Sequence, residues 1–237
     1  MHRFRVPFIA AAAVFGFAAQ AQAADLRYPP LEPAPVIVRE SMSGWYLRGD
    51  LGYRLNNIGD VFVGGIVPNV PVTGGKMDNS YMVGGGAGYK WSWFRADVTL
   101  DYGTQTKYTG SALTPSDTTI KIDSFTTLFN AYADLGTWYG FTPYIGAGAG
   151  AAYLRASGLS APGAVIGPVI SDGTKWNFAW AAMAGLSYSI TPTWLVDVGY
   201  RYLHLGDVHS GADAANAALN LKNLNAHEFR LGARWAL

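Results

Sequence analysis

From Gly44 to Leu237 apolar and polar residues alternate with period two in eight successive runs. That period marks strands whose two faces meet different surroundings. In the first run Trp45, Leu47, Leu51, Tyr53 and Leu55 share one face, opposite Tyr46, Arg48, Asp50 and Arg54. The second sets Tyr81, Val83, Ala87, Tyr89 and Trp91 against Gly84, Gly86, Gly88 and Lys90, and the third sets Phe94, Ala96, Val98, Leu100 and Tyr102 against Arg95, Asp97, Thr99 and Asp101. The fourth opposes Phe125, Phe129, Ala131, Ala133 and Leu135 to Ser124, Thr126, Asn130 and Asp134. In the fifth, Ile145, Ala147, Ala149, Ala151 and Tyr153 oppose Tyr144, Gly146, Gly148 and Gly150.

The sixth run (Trp176, Phe178, Trp180, Ala182, Leu186, Tyr188 against Asn177, Ser187, Ser189) and the seventh (Trp194, Val196, Val198, Tyr200, Tyr202 against Asp197, Gly199, Arg201) keep the rule. So does the eighth, where Phe229, Leu231, Ala233, Trp235 and Leu237 oppose Glu228, Arg230 and Arg234. Each run is about ten residues or slightly more, the length a tilted strand needs to cross the hydrocarbon layer.

The joins between runs alternate in length. About 24 residues (Asn56–Asn79) separate the first two runs, about 16 the third and fourth, and about 19 each later long pair. Very tight joins fall between them, near Ser92, Thr137–Gly140 and Thr191–Thr193. Long outer loops with short inner turns belong to outer-membrane barrels, and a soluble sandwich has no reason to alternate in this way. The tryptophans agree: Trp45, Trp91, Trp93, Trp138, Trp194 and Trp235 fall at the turn ends of the runs, where indole rings suit a membrane–water boundary. Trp176 and Trp180 belong to the outer half of the sixth strand. The fold class expected is therefore all-β, an eight-stranded antiparallel up-and-down transmembrane β-barrel over residues 44–237.

The N-terminus and composition fit an exported chain. Arg3 and Arg5 precede an apolar stretch from Val6 to Ala19 and then Ala21-Gln22-Ala23, the layout of a signal peptide cut after Ala23. The apolar stretch is too short for a spanning helix. Residues 24–43, with Pro29, Pro30, Pro33 and Pro35, read as an extended periplasmic linker. Removing residues 1–23 shifts the net charge from +1 to about −1, with no basic surplus for nucleic acid. The chain has no cysteine, which excludes disulfides and thiol chemistry. Charged residues are only 14% and hydrophobic ones 50%, and a chain this apolar without spanning helices satisfies its backbone in a membrane by closing a barrel.

The faces opposite the apolar ones collect Arg48, Arg54, Lys90, Arg95, Arg201, Arg230 and Arg234 with Asp50, Asp97, Asp101, Asp134, Asp197 and Glu228. In a barrel of eight strands side chains fill the interior, and isolated charges there are costly, so these are expected to pair into a lumen network. The inward glycines of the second and fifth strands leave room for long arginines opposite. A wide porin needs about sixteen strands; a narrow pore passing ions or small solutes is the alternative to a plugged lumen.

Candidate chemistry is thin. His204, His209 and His227 fall near the outer rim. Asp207 or Ser210 beside His209 imitates the catalytic groups of barrel enzymes, but no nucleophile elbow or third orienting member is identifiable. The histidine spacing is no recognised metal or haem motif, and no cofactor is expected. The first long loop (residues 56–79) is apolar for a solvent-facing segment and reads as a hairpin raised above the membrane, while the last (Gly206–Asn225) has room for one short helix.

Four stretches, Gly44-Trp45-Tyr46-Leu47-Arg48-Gly49-Asp50-Leu51-Gly52-Tyr53, Thr142-Pro143-Tyr144-Ile145-Gly146-Ala147-Gly148, Val198-Gly199-Tyr200-Arg201-Tyr202 and His227-Glu228-Phe229-Arg230-Leu231-Gly232, stand in an order and spacing that resemble the alphaproteobacterial outer-membrane β-barrel family of porin-like major surface antigens, related to the OmpA transmembrane domain. The resemblance covers about Gly44 to Leu237. It implies an abundant surface protein that supports envelope integrity, with no catalytic residues. Its expected partners are outer-membrane lipid and lipopolysaccharide, the barrel-assembly machinery through the last strand, and contacts with peptidoglycan or host surfaces. Such barrels end in an aromatic residue; here Leu237 is last and Trp235 stands two places earlier. The rival from another class is a soluble periplasmic lipocalin-like barrel, with apolar faces inward around a ligand.

Overall fold

The computed structural model describes residues 43–64, 70–111, 117–160, 172–210 and 218–237. The expected signal peptide (1–23), all of the proline-rich linker but Ser43, and the tips of the long loops lie outside the described residues. In chain order the strands are β1 (Ser43–Asn57), β2 (Val61–Gly64), β3 (Val70–Pro71), β4 (Thr73–Met77), β5 (Ser80–Trp91) and β6 (Phe94–Ser111). β7 (Asp117–Asp134), β8 (Phe141–Ser160), β9 (Gly173–Ser189), β10 (Trp194–His209) and β11 (Ala218–Ala236) follow.

The eight long strands, β1 and β5 to β11, pair antiparallel in sequence order, and β11 returns to β1 in a continuous register from Tyr46↔Ala236 to Asn57↔Asn225. The barrel is closed, and closure removes the exposed sheet edge that a membrane would not tolerate. At one end the strands turn tightly. Ser92 takes a positive φ of 55° between β5 and β6. Between β7 and β8, Tyr139 and Gly140 both have positive φ (53° and 83°), and Trp138 and Phe141 exchange backbone hydrogen bonds of 2.9 Å around them. Two successive positive φ values match the twist of a two-residue hairpin, and glycine supplies the second without strain.

At the other end the strands run far past the expected length. β6 and β7 have 18 residues each and β8 has 20, against about 9–11 needed to cross a membrane. Much of what the sequence assigns to long loops is therefore strand. A bulge hides the continuation: between Gly103 and Thr106 β6 uses three steps while β7 uses two. One extra residue reverses which parity faces inward, so the alternation read from the sequence breaks off where the strand goes on. β10 shifts register in the same way around Gly206, whose φ is +80°.

The apolar first loop does more than rise as a hairpin. β2 pairs with β3 and also with β11, through Leu221↔Val61 to Ala218↔Gly64. β4 pairs with β6. The loop thus takes over the wall above the ends of β1 and β5. The short helix expected in the last loop is not found in its described part, where β10 continues to His209 and β11 begins at Ala218; residues 211–217 lie outside the described residues.

Candidate functional site: the filled lumen

Strand alternation aims every second side chain of the turn-end half into the barrel, and all thirteen charged residues assigned to the lumen line it. They link in tiers. Nearest the turns, Asp134 takes Lys90 and Arg95, each at 2.9 Å. Arg95 is also held between the rings of Tyr132 and Tyr144, 4.6 Å from each centroid, a cation–π sandwich that offsets part of the cost of burying it. Arg234 reaches Asp197 at 2.7 Å and the Ser187 hydroxyl.

In the middle tier Arg48 bridges Asp50 (2.7 Å) and Asp97 (2.8 Å) and donates to the Tyr132 hydroxyl. Asp97 also accepts from the Tyr46 hydroxyl and the Asn130 amide. The uppermost tier holds Arg54 and Arg201 on the two oxygens of Glu228, Arg201 on Asp101 (2.7 Å), and Arg230 between Asp50 and Asp101 at 3.2 Å each. Arg54, Arg95, Arg201, Asp101 and Glu228 are 0–1% exposed. Pairs so deeply buried give little net stability beside an apolar filling, but removing one member leaves the other uncompensated.

The space these groups leave is small. A void lined by Arg48, Asp50, Tyr132, Tyr144, Arg201 and Arg230 measures about 10 Å³, room for no more than one water, and another beside Tyr46, Lys90 and Arg234 at the turn end measures about 30 Å³. The inward glycines do not serve arginines as expected. A Cβ at Gly84 would strike Asp101, at Gly88 Tyr46 and Asp97, at Gly146 Tyr132, and at Gly148 Asn130; the glycine that faces an arginine is Gly103, against Arg54. The glycines make room for the tyrosines and acceptors that hold the arginines in place.

The lumen also changes character along its length, which the sequence reading missed. Beyond the uppermost charge tier the inner face turns apolar. Tyr108 opposes Ile120, Ile122 opposes Ala156, Leu203 opposes Ala226 and Val208 opposes Leu221, and all are buried in one cluster with Leu154 and Leu205. The outer face at that height is polar: Lys107, Thr109, Thr119, Lys121, Arg155 and Ser157. The signal was present as Ile120/Ile122, Leu203/Leu205 and Leu219/Leu221 with polar residues between them, but in the opposite phase to the runs below.

The outer face of the turn-end half is a belt of exposed apolar residues. At its lower border stand Trp45, Trp91, Trp93, Trp138, Trp194 and Trp235, between 44% and 72% exposed. Trp194 stacks on Trp235, and Trp45 meets Tyr89 edge-on. An upper border carries Tyr53 against Tyr81, Tyr153 against Trp176 and Trp180 against Tyr202. A lipocalin-like barrel needs these residues inside, so the soluble rival is overturned.

The candidate catalytic groups are engaged elsewhere. The Asp207 carboxylate accepts from the Asn223 backbone, and the Ser210 hydroxyl from the Leu219 backbone. His204 bonds Asn225 at 2.7 Å, and His227 bonds the Tyr200 hydroxyl at 2.6 Å. Among the described residues no three metal-ligating side chains gather.

A closed antiparallel barrel with ion pairs inside and an aromatic-bordered apolar belt outside is a transmembrane barrel of the cell outer membrane. The chain belongs to the outer membrane protein beta-barrel domain family, which it matches over residues 9–236. A protein of Brucella suis biovar 1 described as uncharacterized is 30% identical over 267 residues, covering 91% of this chain and 92% of its own length. The outer membrane protein PagN of Salmonella typhimurium is 33% identical over 117 residues, 47% of this chain and 48% of PagN. Among solved structures, the outer membrane protein OprG from Pseudomonas aeruginosa shares the fold with a TM-score of 0.56 at 16% identity, over 85% of this chain and all of that one (100%).

Proposed function

We propose that the protein is a closed barrel that supports the integrity of the outer membrane and offers its outer rim for surface contacts, without catalytic machinery and without a conducting pore. The observation that carries this reading is the filled lumen: three tiers of interlocked ion pairs with voids of only about 10 Å³ and about 30 Å³ beside them. Above them an apolar plug of buried side chains adds a second seal. The non-enzymatic part is supported by the bracing role of Asp207 and Ser210, each of which accepts a backbone N–H from β11. In this reading residues 1–23 direct export and are removed, the proline-rich segment stays in the periplasm within reach of peptidoglycan, and β11 with Trp235 addresses the assembly machinery.

Ion conductance of the full mature protein in a planar bilayer tests the proposal, with a heat-modifiability gel to show that the barrel is folded. The expected result is a folded, silent barrel. Stable single-channel steps, altered by Arg48→Ala or Asp97→Ala, would establish the narrow pore instead and turn the lumen charges into its filter.

A further inference from the structure

Just above the upper aromatic border, on the outer face of β6, β7 and β8, lie two features that the closed-barrel reading does not use. The first is a pair of lysines. Lys107 and Lys121 are direct partners across the β6–β7 ladder, and both are exposed. Like charges directly opposite in a sheet are destabilising. Neither lysine is relieved by an ion pair within the described residues. The neighbouring carboxylates are placed otherwise: Asp123 accepts from Tyr102 and Gln105, and Asp172 is taken by Arg155. Asp78, beside Lys107 at the end of β4, meets it through the backbone. Ser157 stands opposite Lys121 on β8 and adds a hydroxyl.

The second feature is an open groove of about 380 Å³ directly below, lined by Tyr102, Phe125 and Tyr153 with Asp123 and Arg155 at its upper lip. Tyr102, Phe125 and Tyr153 are consecutive partners across three strands, so their rings form one lipid-facing row. Lys121 is four residues beyond Phe125, about 13 Å along the strand at roughly 3.3 Å per residue and less in height because strands tilt. The lysines therefore stand on the water side of the aromatic row, where headgroups lie above their acyl chains.

We propose that Lys107, Lys121 and Ser157 form a binding site for the phosphate of an outer-leaflet lipid, with one of its acyl chains lying in the Tyr102–Phe125–Tyr153 groove. A phosphate between the two ammonium groups converts their repulsion into two charge-assisted contacts, and the groove supplies apolar cover that a free anion has no use for. The site rests on the membrane placement of the barrel and gives the proposed rim contacts one specific chemistry.

The test is a titration of the full-length folded protein in detergent, read by native mass spectrometry. The probes are bis-phosphorylated lipid A, the same lipid with both phosphates removed, and inorganic phosphate. The wild type is expected to prefer the phosphorylated lipid by at least about tenfold, a modest demand for two charge-assisted contacts. Lys107→Gln with Lys121→Gln is expected to remove that preference, and Lys222→Gln, a lysine packed over Phe62 elsewhere on the rim, to leave it intact. Lys121→Glu keeps the test sound if the double variant assembles poorly, because it replaces repulsion by attraction across the ladder and should fold at least as well while losing the lipid. Equal binding by the Lys107 and Lys121 variants, an equal loss in Lys222→Gln, or full competition by inorganic phosphate would each overturn the site. Conductance of the same preparations separates the two ideas, since a conducting barrel with an intact preference refutes the closed lumen alone.

Discussion

The barrel is two structures built on one set of strands. In the turn-end half the outer face is apolar and the inner face holds Arg201, Glu228, Asp101 and their partners with almost no exposure. In the far half the inner face is the cluster of Tyr108, Ile120, Ile122, Leu154, Leu203 and Leu221, and the outer face carries lysines, threonines and Arg155. What decides the arrangement is the solvent outside. Where lipid surrounds the wall, apolar side chains lose nothing by facing out and the interior is left for polar groups that must satisfy each other. Where water surrounds it, the ordinary hydrophobic effect returns and apolar side chains turn in. The bulge after Gly103 on β6 is the device by which that strand changes phase between the two regimes.

Substitutions can break this comparison at either level. The largest effect is expected from Arg201→Ala, which strands Asp101 and Glu228 without their shared cation in a site with 0% exposure; breaking a buried pair costs about 3–5 kcal/mol. Urea unfolding in lipid vesicles would report it, and a wild-type midpoint would mean that the tiers do not hold the barrel together. Next, one strand can be probed on its outer face at two heights. Val98→Lys, midway between the two aromatic borders, should cost about 2–4 kcal/mol, whereas Thr109→Lys should cost about 0–1 kcal/mol because water is already there. Similar costs at both positions would remove the boundary.

A smaller loss, about 0.5–1.5 kcal/mol, is expected for Ile122→Val in the apolar half, and it should raise protease sensitivity of the outer rim before it affects extraction of the barrel. At the bottom of the scale, Arg155→Ala breaks an exposed pair with Asp172, and no measurable change in unfolding midpoint is expected. A clear shift there would show that the rim is less exposed to solvent than its geometry indicates.

The membrane half was legible because lipid imposes the same rule on every strand. Trp45, Leu47, Leu51 and Tyr53 alternate with Arg48, Asp50 and Arg54, and the later runs keep the same parity, although Leu128, Ala179, Ala181 and Met183 place apolar side chains on the inner face. The thirteen lumen residues could be named from parity alone, though which cation meets which carboxylate could not. Arg201 meets Asp101 across a hundred residues of chain, and only strand tilt and register bring them to one height. The far half was illegible for a physical reason as well. It obeys the opposite rule: on β7 and β10 the inward parity runs on unbroken from Ser124 to Ile122 and from Arg201 to Leu203 while polarity inverts, and on β6 the bulge shifts parity as well before Tyr108, so these residues read as loop. The closing of the wall by β2 and β4 depends on long-range pairing with β11 and β6, which no local pattern announces.

The most direct test of the two-regime account uses the absence of native cysteine. Single cysteines placed in turn at Ala96, Val98, Leu100, Tyr102, Lys107 and Thr109, the outward positions of β6, would carry an environment-sensitive fluorophore in a folded barrel reconstituted in vesicles. Quenching by a lipid-bound quencher is predicted for Ala96 through Tyr102, and quenching by a water-soluble one for Lys107 and Thr109, with the crossover at the bulge. Lipid quenching that persists to Thr109 would contradict the account, because the apolar interior would then lie inside the membrane and the strands would have no change of solvent to answer.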